Sequence, residues 1–372
     1  MSAAQTAPAP AAAGPSRTEA STSADPTIEK IPAIQKTWRV TRKGKPADVL
    51  KLADAPVPAK LKKGEVLIKV QATALNPVGH KLMGNVPSFV LKRWVSTEFD
   101  FAGVIVDANG TEFKEGDEVF GWHPVFQAIT TGQGALAQYT RSPAANVILR
   151  PKNITPIEAS GLPIVALTAY EGLFDFAKLE AGQSVFINGG STAVGSFAIQ
   201  LAKAKGAHVA ASASAKNEQY VRGLGADEFF DYTKAPLHEQ LIAANVTPKY
   251  HVIYDTVGLV DPALFVHSPA YLAPQGIFLS VGPQQGSGML SFVWNVLLRP
   301  TFLGGVNRKW KMIQVKPVPE DLKAVTELVE EGKIRPLVDS VYEFEDALKA
   351  YERILTGRAT GKVIVKVDPT VA

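Results

Sequence analysis

One stretch limits the fold of this chain more than any other. Ser184-Val-Phe-Ile-Asn188 is a short apolar run of the kind that forms a buried parallel strand. It breaks at Gly189-Gly-Ser-Thr-Ala-Val-Gly195, after which residues 196–205 have helical composition with an apolar face until Gly206 stops them. His208-Val-Ala-Ala-Ser212 reads as the next strand. Strand, glycine turn, helix and strand in that order make one right-handed parallel crossover unit, and the chain around it must complete a doubly wound sheet.

A turn that opens a helix directly after a buried strand presents backbone N–H groups and the positive end of a helix dipole, which together receive a pyrophosphate. Against the dinucleotide pattern G-x-G-x-x-G, Gly190 holds the first position and Gly195 the third, with Thr192 at the second. Thr192 is expected to compensate by offering its hydroxyl to a phosphate oxygen; without a ligand the same turn would be an ordinary strand-to-helix connection. The end of the second strand selects the nucleotide. An NAD site places a carboxylate about 20 residues past the turn, whereas Ala211-Ser-Ala-Ser-Ala-Lys216 has no acid before Glu218. Ser214 and Lys216 suit a 2′-phosphate, so the expected cofactor is NADP(H). The alternative for Lys216 is a solvated charge at the start of a helix.

The remaining sequence supplies a second domain. Short alternating runs at residues 36–40, 65–70, 101–106, 117–120 and 137–140, separated by Gly and Pro, predict a β-rich unit. The first runs end in Asn76-Pro-Val-Gly-His80, a polar loop whose Asn76 and His80 are candidates to face a ligand, although a loop histidine is commonly a surface residue. Residues 156–176 have helical periodicity, and apolar runs at 228–232, 250–255 and 276–281 continue the parallel sheet. Helices are expected near residues 319–331 and 345–355, with a final strand at 362–367. Residues 284–305, rich in Gly and apolar side chains, are expected to form a mobile flap over the substrate cleft with Phe292, Trp294 and Leu297 exposed; a subunit or membrane-surface contact is the alternative.

Several function classes drop out. The 372 residues contain no cysteine, which removes disulfides, thiol nucleophiles and thiolate metal sites. A net charge of +4 with no cluster of Lys and Arg is far from a nucleic-acid footprint. The longest apolar stretch, residues 289–298, is too short to cross a bilayer, so no transmembrane segment is expected. Residues 1–35, rich in Ala, Pro, Ser and Thr, are read as a disordered tail. Its single Arg17 beside Glu19 and Asp25 does not make a transit peptide, and a cytoplasmic location is expected.

From about Thr37 to Val367 the chain resembles the zinc-free quinone oxidoreductase and enoyl reductase branch of the medium-chain dehydrogenase/reductases. The carriers are Asn76-Pro-Val78, Phe101-Ala-Gly-Val104, residues 113–121, Thr168-Ala-Tyr170, the 189–195 turn, Gln200-Leu-Ala-Lys-Ala204, Leu224-Gly-Ala-Asp227, Asp231-Tyr232 and Ala359-Thr-Gly-Lys362. The resemblance implies an α/β architecture: a GroES-like β-rich domain, residues 36–158 and 310–372, interrupted by a Rossmann doubly wound parallel sheet, residues 159–309. It implies cofactor contacts from Asn76 near the nicotinamide, Thr168, the turn from Ser191 through Thr192 and Ala193 to Val194, and Ser214, Lys216 and Tyr232 around the adenosine phosphate. Val257, Gly258 and Lys362 are implied nearer the nicotinamide. Asn76 also reads as a plain turn residue before Pro77, and Tyr232 as a strand-end aromatic. Zinc relatives carry a cysteine where Asn76 stands and a histidine where Phe99 stands, so no metal is expected. Hydride would then pass from NADPH to a small apolar unsaturated carbonyl or a quinone, with His80 and Tyr170 as candidate proton donors. Two alternatives stay open: a non-catalytic NADPH-binding sensor or scaffold, and a partner-dependent trans-acting polyketide enoyl reductase. A monomer or homodimer fits each of them.

Overall fold

The computed structural model describes residues 31–91, 96–283 and 288–371. Most of the expected tail lies outside the described residues, but the first strand, Ile34–Val40, already begins inside the stretch assigned to it. That strand pairs antiparallel with Leu50–Pro56.

The parallel unit forms as the apolar runs require. Six strands lie side by side in the order Glu228–Asp231, His208–Ala213, Ser184–Asn188, Tyr250–Asp255, Leu272–Ser280 and Lys309–Met312, all parallel. Val185, Phe186 and Ile187 have no exposed surface, because helices cover both faces of the central strands. Chain order reverses between Ser184–Asn188 and Tyr250–Asp255, and the crevice beyond their carboxyl ends is where sheets of this type bind ligands. Lys309–Met312 corrects the expected domain boundary, which cut the chain at 309/310: this strand extends the nucleotide sheet, pairing Phe278 with Trp310. The short run Lys-Trp-Lys-Met gave too little periodicity to reveal it.

The front domain is a seven-stranded sheet built around Glu65–Ala74. This strand pairs antiparallel with Asp100–Asp107, with Tyr139–Pro143 and with Lys362–Lys366, so the end of the chain closes the sheet that its beginning opens. The expected single helical stretch over residues 156–176 is three pieces. Pro156–Ser160 starts on a capping box between Thr155 and Glu158, Pro163–Tyr170 follows after Gly161, and a π-helical segment covers Glu171–Phe176. Pro163 cannot continue the preceding helix, which accounts for the break.

The glycine turn is sterically determined. Gly189 has φ of +86°, a conformation that a Cβ disfavours. At Gly195 a Cβ would stand 2.1 Å from the carbonyl oxygen of Gly189, so the helix Ala193–Ala204 can approach the strand only through a glycine. Replacing Gly195 by Ala is expected to lower stability by about 1–3 kcal/mol, the cost of forcing a methyl into packed backbone. In urea unfolding its midpoint should fall clearly below that of Gly223→Ala, whose added methyl meets nothing within 4 Å; equal midpoints would refute this account of the turn.

Candidate functional site

Pro77 organises the front-domain side of the site. It occupies the first turn of the helix Pro77–Asn85 and holds Asn76 extended at φ −127° and ψ 143°. Asn76 stands at the helix N-cap but makes no cap bond with its side chain. Instead its amide Nδ2 donates to Asp100 Oδ2 at 2.9 Å, and its Oδ1 accepts from Lys362 Nζ at 2.8 Å. Lys362 also donates to Asp100 Oδ2 at 3.1 Å, and Asp100 Oδ1 accepts the backbone N–H of Ile164 at 3.0 Å. Lys362 is 3% exposed and Asp100 not at all, so this is a buried ion pair whose remaining valences are satisfied by neighbours. Three segments far apart in sequence meet at one ammonium group.

A second buried carboxylate completes the cluster. Glu98 sits at φ +62° with no exposed surface; its Oε2 accepts the Asn76 backbone N–H at 3.0 Å and its Oε1 accepts the Tyr351 hydroxyl. Gly79 is obligatory beside it, since a Cβ there would lie 2.2 Å from Oε1. Burial pushes the Glu98 carboxyl up to about 7, against the opposing pull of its hydrogen bonds and of Lys362. Glu98 is not among the site residues expected from the sequence. Nothing local marks its role, because its partners lie 22 and 253 positions away.

The nucleotide-domain side is equally specified. Thr192 caps the helix: its Oγ1 accepts from the Gly195 N–H at 3.0 Å and lies 2.9 Å from Thr256 Oγ1. This corrects the expectation that Thr192 offers its hydroxyl to a phosphate. Thr256 Oγ1 is already donating to the Asn188 carbonyl at 2.7 Å, so the Thr192 hydrogen is used internally. Gly189 and Gly190 donate to Ser212, and Gly195 and Ser196 to Thr192, while the N–H groups of Ser191, Ala193 and Val194 have no protein partner among the described residues. Three free donors at the start of a twelve-residue helix make a fitted receptor for a pyrophosphate. Asp255, missed by the sequence reading, holds the neighbouring loop: its carboxylate accepts the N–H groups of Val257, Gly258 and Leu259 and is itself held by Asn188 Nδ2 at 2.8 Å.

These two sides face one cleft of about 390 Å³. Of the anticipated residues it brings together Asn76, His80, Thr192, Ala193, Val257 and Lys362. His80 is half-buried with an unpartnered Nδ1, and burial, helped by Lys81, lowers its pKa, so the ring there is neutral at pH 7. Tyr170 is not brought to this cleft. It lines a separate cavity of about 550 Å³ with Phe174, against which its ring packs edge-on, and this corrects its candidacy as a proton donor. Thr168 is also turned away, its hydroxyl donating to the Ile164 carbonyl of its own helix at 2.6 Å. Ser214, Lys216 and Tyr232 follow the strand ends beyond the glycine turn; Lys216 is exposed and has no ion pair among the described residues, and Tyr232 is 56% exposed.

The anticipated flap also needs correction. Residues 284–287 lie outside the described residues, but within 288–305 Met289–Phe292 continues into a π-helical segment, Val293–Leu298, and a short 3-10 turn covers Thr301–Leu303. Phe292 is buried against Trp310, and none of residues 288–305 lines the cleft. Among the described residues no group of three or more His, Cys, Asp or Glu is arranged to hold a metal ion, and no helix is long and apolar enough to cross a membrane.

A doubly wound sheet with a free-donor glycine turn, facing a GroES-like sheet across a cleft, defines an oxidoreductase built for a nicotinamide dinucleotide. Comparison with known proteins agrees. Residues 62–152 match the alcohol dehydrogenase GroES-like domain and residues 224–365 the domain described as zinc-binding dehydrogenase. A trans-enoyl reductase of Penicillium oxalicum is 35% identical over 90% of this chain and 98% of its own length. A chloroplastic quinone-oxidoreductase homolog of Spinacia oleracea is 32% identical over 86% and 94%. The solved quinone oxidoreductase of Coxiella burnetii superposes with a TM-score of 0.73 at 25% identity, covering 90% of this chain and 99% of that one. The chain belongs to the medium-chain dehydrogenase/reductase family, in its quinone oxidoreductase and enoyl reductase-like branch.

The Glu98 environment sets a pH dependence. Its folded-state pKa of about 7 lies above the ordinary 4.5, so the folded protein binds the proton more tightly than the unfolded chain. Its contribution to stability is therefore greatest below pH 4.5 and is lost as pH rises through 7. Glu98→Gln removes this titration. The stability difference between variant and parent should move in the variant's favour by up to about 1.4 kcal/mol per pH unit between those limits. Glu171 and Asp321, also raised, titrate in both proteins and cancel. Urea unfolding of both proteins at a series of pH values measures it, and a constant difference would show that Glu98 ionises normally in the fold.

Proposed function

We propose that this protein is an NADPH-dependent reductase that delivers hydride, without a metal, to an electron-poor C=C bond of an apolar enone or enoyl thioester, or to a quinone. The observation that carries the reading is the cleft in which Asn76 and Lys362 of one domain meet Thr192, Ala193 and Val257 of the other, next to the helix whose first N–H groups are free. The bound cofactor would supply the hydride. Ser191, Ala193 and Val194 would hold its pyrophosphate through their backbone, and Ser214 and Lys216 its 2′-phosphate. Asn76, fixed by Asp100 and Lys362, would orient the reacting end. His80 is the side chain in the cleft suited to donate a hydrogen bond to a developing enolate, with solvent able to deliver the proton.

Metal independence is supported by the side chains themselves. Asn76 and Phe99 occupy the positions where zinc relatives carry ligands, the chain has no cysteine, and Asn76 is bonded inside the Lys362 cluster. Activation of an alcohol would lack its Lewis acid, whereas a conjugated acceptor is already electron-poor. The likeness to a trans-enoyl reductase over nearly the whole chain supports a second reading, in which the acceptor is an enoyl thioester tethered to a partner synthase.

NADPH is expected to bind more tightly than NADH, and Lys216→Ala to weaken NADPH by about 1–3 kcal/mol while leaving NADH nearly unchanged. Calorimetric titration measures both. Equal affinity for the two cofactors in the parent protein would remove the phosphate site. A screen of NADPH oxidation against quinones, enones and enoyl thioesters, free and carrier-bound, tests the reaction. Turnover confined to carrier-bound thioesters would select the second reading, and failure of every acceptor alongside tight NADPH binding would leave a sensor or scaffold.

A further inference from the structure

We infer that Glu98 is a positioning residue for the acceptor: its one carboxyl group ties the loop that carries Asn76 to the helix Ala347–Leu355, whose last turn forms the apolar wall of the cleft. This role rests on the proposed hydride transfer, since it concerns the acceptor's place in the cleft. Tyr351, 1% exposed in the middle of that helix, donates its hydroxyl to Glu98 Oε1, while Glu98 Oε2 accepts the Asn76 backbone N–H at 3.0 Å. Ile354 and Leu355 follow three and four residues later, on the side of the helix that Tyr351 occupies, and both line the cleft. Leu75 and Val363, which also line it from the front sheet, are 1% exposed each, whereas Leu355 is 50% exposed and Ile354 is half-buried. An apolar acceptor entering from the front-domain side therefore meets the end of this helix.

Two departures from ordinary backbone chemistry mark the carboxyl as built in. Glu98 has φ of +62°, where a side chain is disfavoured and glycine fits without strain, yet glycine would supply neither bond. Gly79, in the first turn of the facing helix Pro77–Asn85, leaves the space that Glu98 Oε1 fills, 2.2 Å from where a Cβ would stand. Burying a carboxyl is a cost to stability; what it gains here is that Asn76 and the Ile354–Leu355 wall are held to one point. The titratable groups acting on Glu98 are Tyr351 from the helix, Lys362 from the last strand and Asp100 two residues along. The helix Pro77–Asn85 meets it at Gly79, which has no side chain. Both bonds are strongest to the ionised carboxylate. Acceptor binding should accordingly tighten as pH rises through the Glu98 value of about 7.

Steady-state kinetics of the full chain across pH, at saturating NADPH and with the fastest acceptor of the enone, enoyl thioester and quinone screen, test it. In the parent, acceptor KM should fall as pH rises through about 7. Glu98→Gln leaves one accepting oxygen for two donors, so above that pH its KM should be roughly three- to tenfold higher, the worth of one hydrogen bond, and the step should be absent. Tyr351→Phe keeps the ring in the core and removes a bond that favours the ionised form, so its step should move to higher pH, which a loss of packing alone would not cause. His80, lowered from its ordinary 6.5, titrates below that range in every variant. NADPH affinity, expected to stay close to the parent's, controls for folding. Amide exchange of residues 354–357, corrected for its intrinsic pH dependence, reads the tie without turnover: protection should rise through the same pH in the parent and not in Glu98→Gln. Parallel KM profiles in the parent and both variants would overturn the positioning role, and exchange indifferent to Glu98 would overturn the tie itself. If no acceptor is reduced, the proposed reaction fails, and the exchange measurement still decides whether Glu98 sets the wall.

Discussion

The ammonium of Lys362 is the point on which the molecule turns. It is buried, it comes from the last strand, and it reaches Asp100 and Asn76 on two strand ends of the front sheet. A charge so placed is expensive to desolvate and is tolerated only because its partner carboxylate and an amide oxygen meet it at hydrogen-bond distance. Loss of either partner would leave an uncompensated charge in the interior. The cluster thus ties the end of the chain to its beginning, and it fixes Asn76 at the mouth of the cleft.

The opposite wall is held by a similar device without a cation. Asp255 accepts three successive backbone N–H groups and the Asn188 amide, which locks Val257 and Gly258 beyond the strand end. Burial pushes the Asp255 carboxyl up, and those bonds oppose the shift. Both walls therefore rest on buried carboxylates satisfied by several donors. The donors of the glycine turn, by contrast, are left free: the N–H groups of Ser191, Ala193 and Val194 have no protein partner among the described residues. Rigid walls around unspent donors are what positioning a cofactor against an acceptor requires.

How far the sequence foretells this depends on the range of the interactions. Ser184–Asn188 and Tyr250–Asp255 were legible to the residue, because a strand buried on both faces needs a continuous apolar run. The glycine turn was legible because Gly189 and Gly195 answer purely local steric demands. Glu98 and Asp255 were not, since their roles are set by partners that only the fold brings near. Tyr170 misled for a related reason: helical periodicity says which residues share a face, not which cavity that face meets. The segment after Gly288 looked structureless from its glycines, yet Phe292 and Trp310 pack together and make it helical.

The central step of the proposed reaction is hydride moving from the cofactor side of the seam to an acceptor held on the other. NADPH deuterated at C4, incubated with the protein and the acceptor that supports fastest NADPH oxidation, measures that transfer directly. For an enone or enoyl thioester, deuterium should appear at the β-carbon from one face of the nicotinamide only, and Asn76→Ala should slow the transfer far more than it weakens NADPH binding. Label drawn equally from both faces, or transfer undiminished in Asn76→Ala, would contradict a reaction organised by the Lys362 cluster.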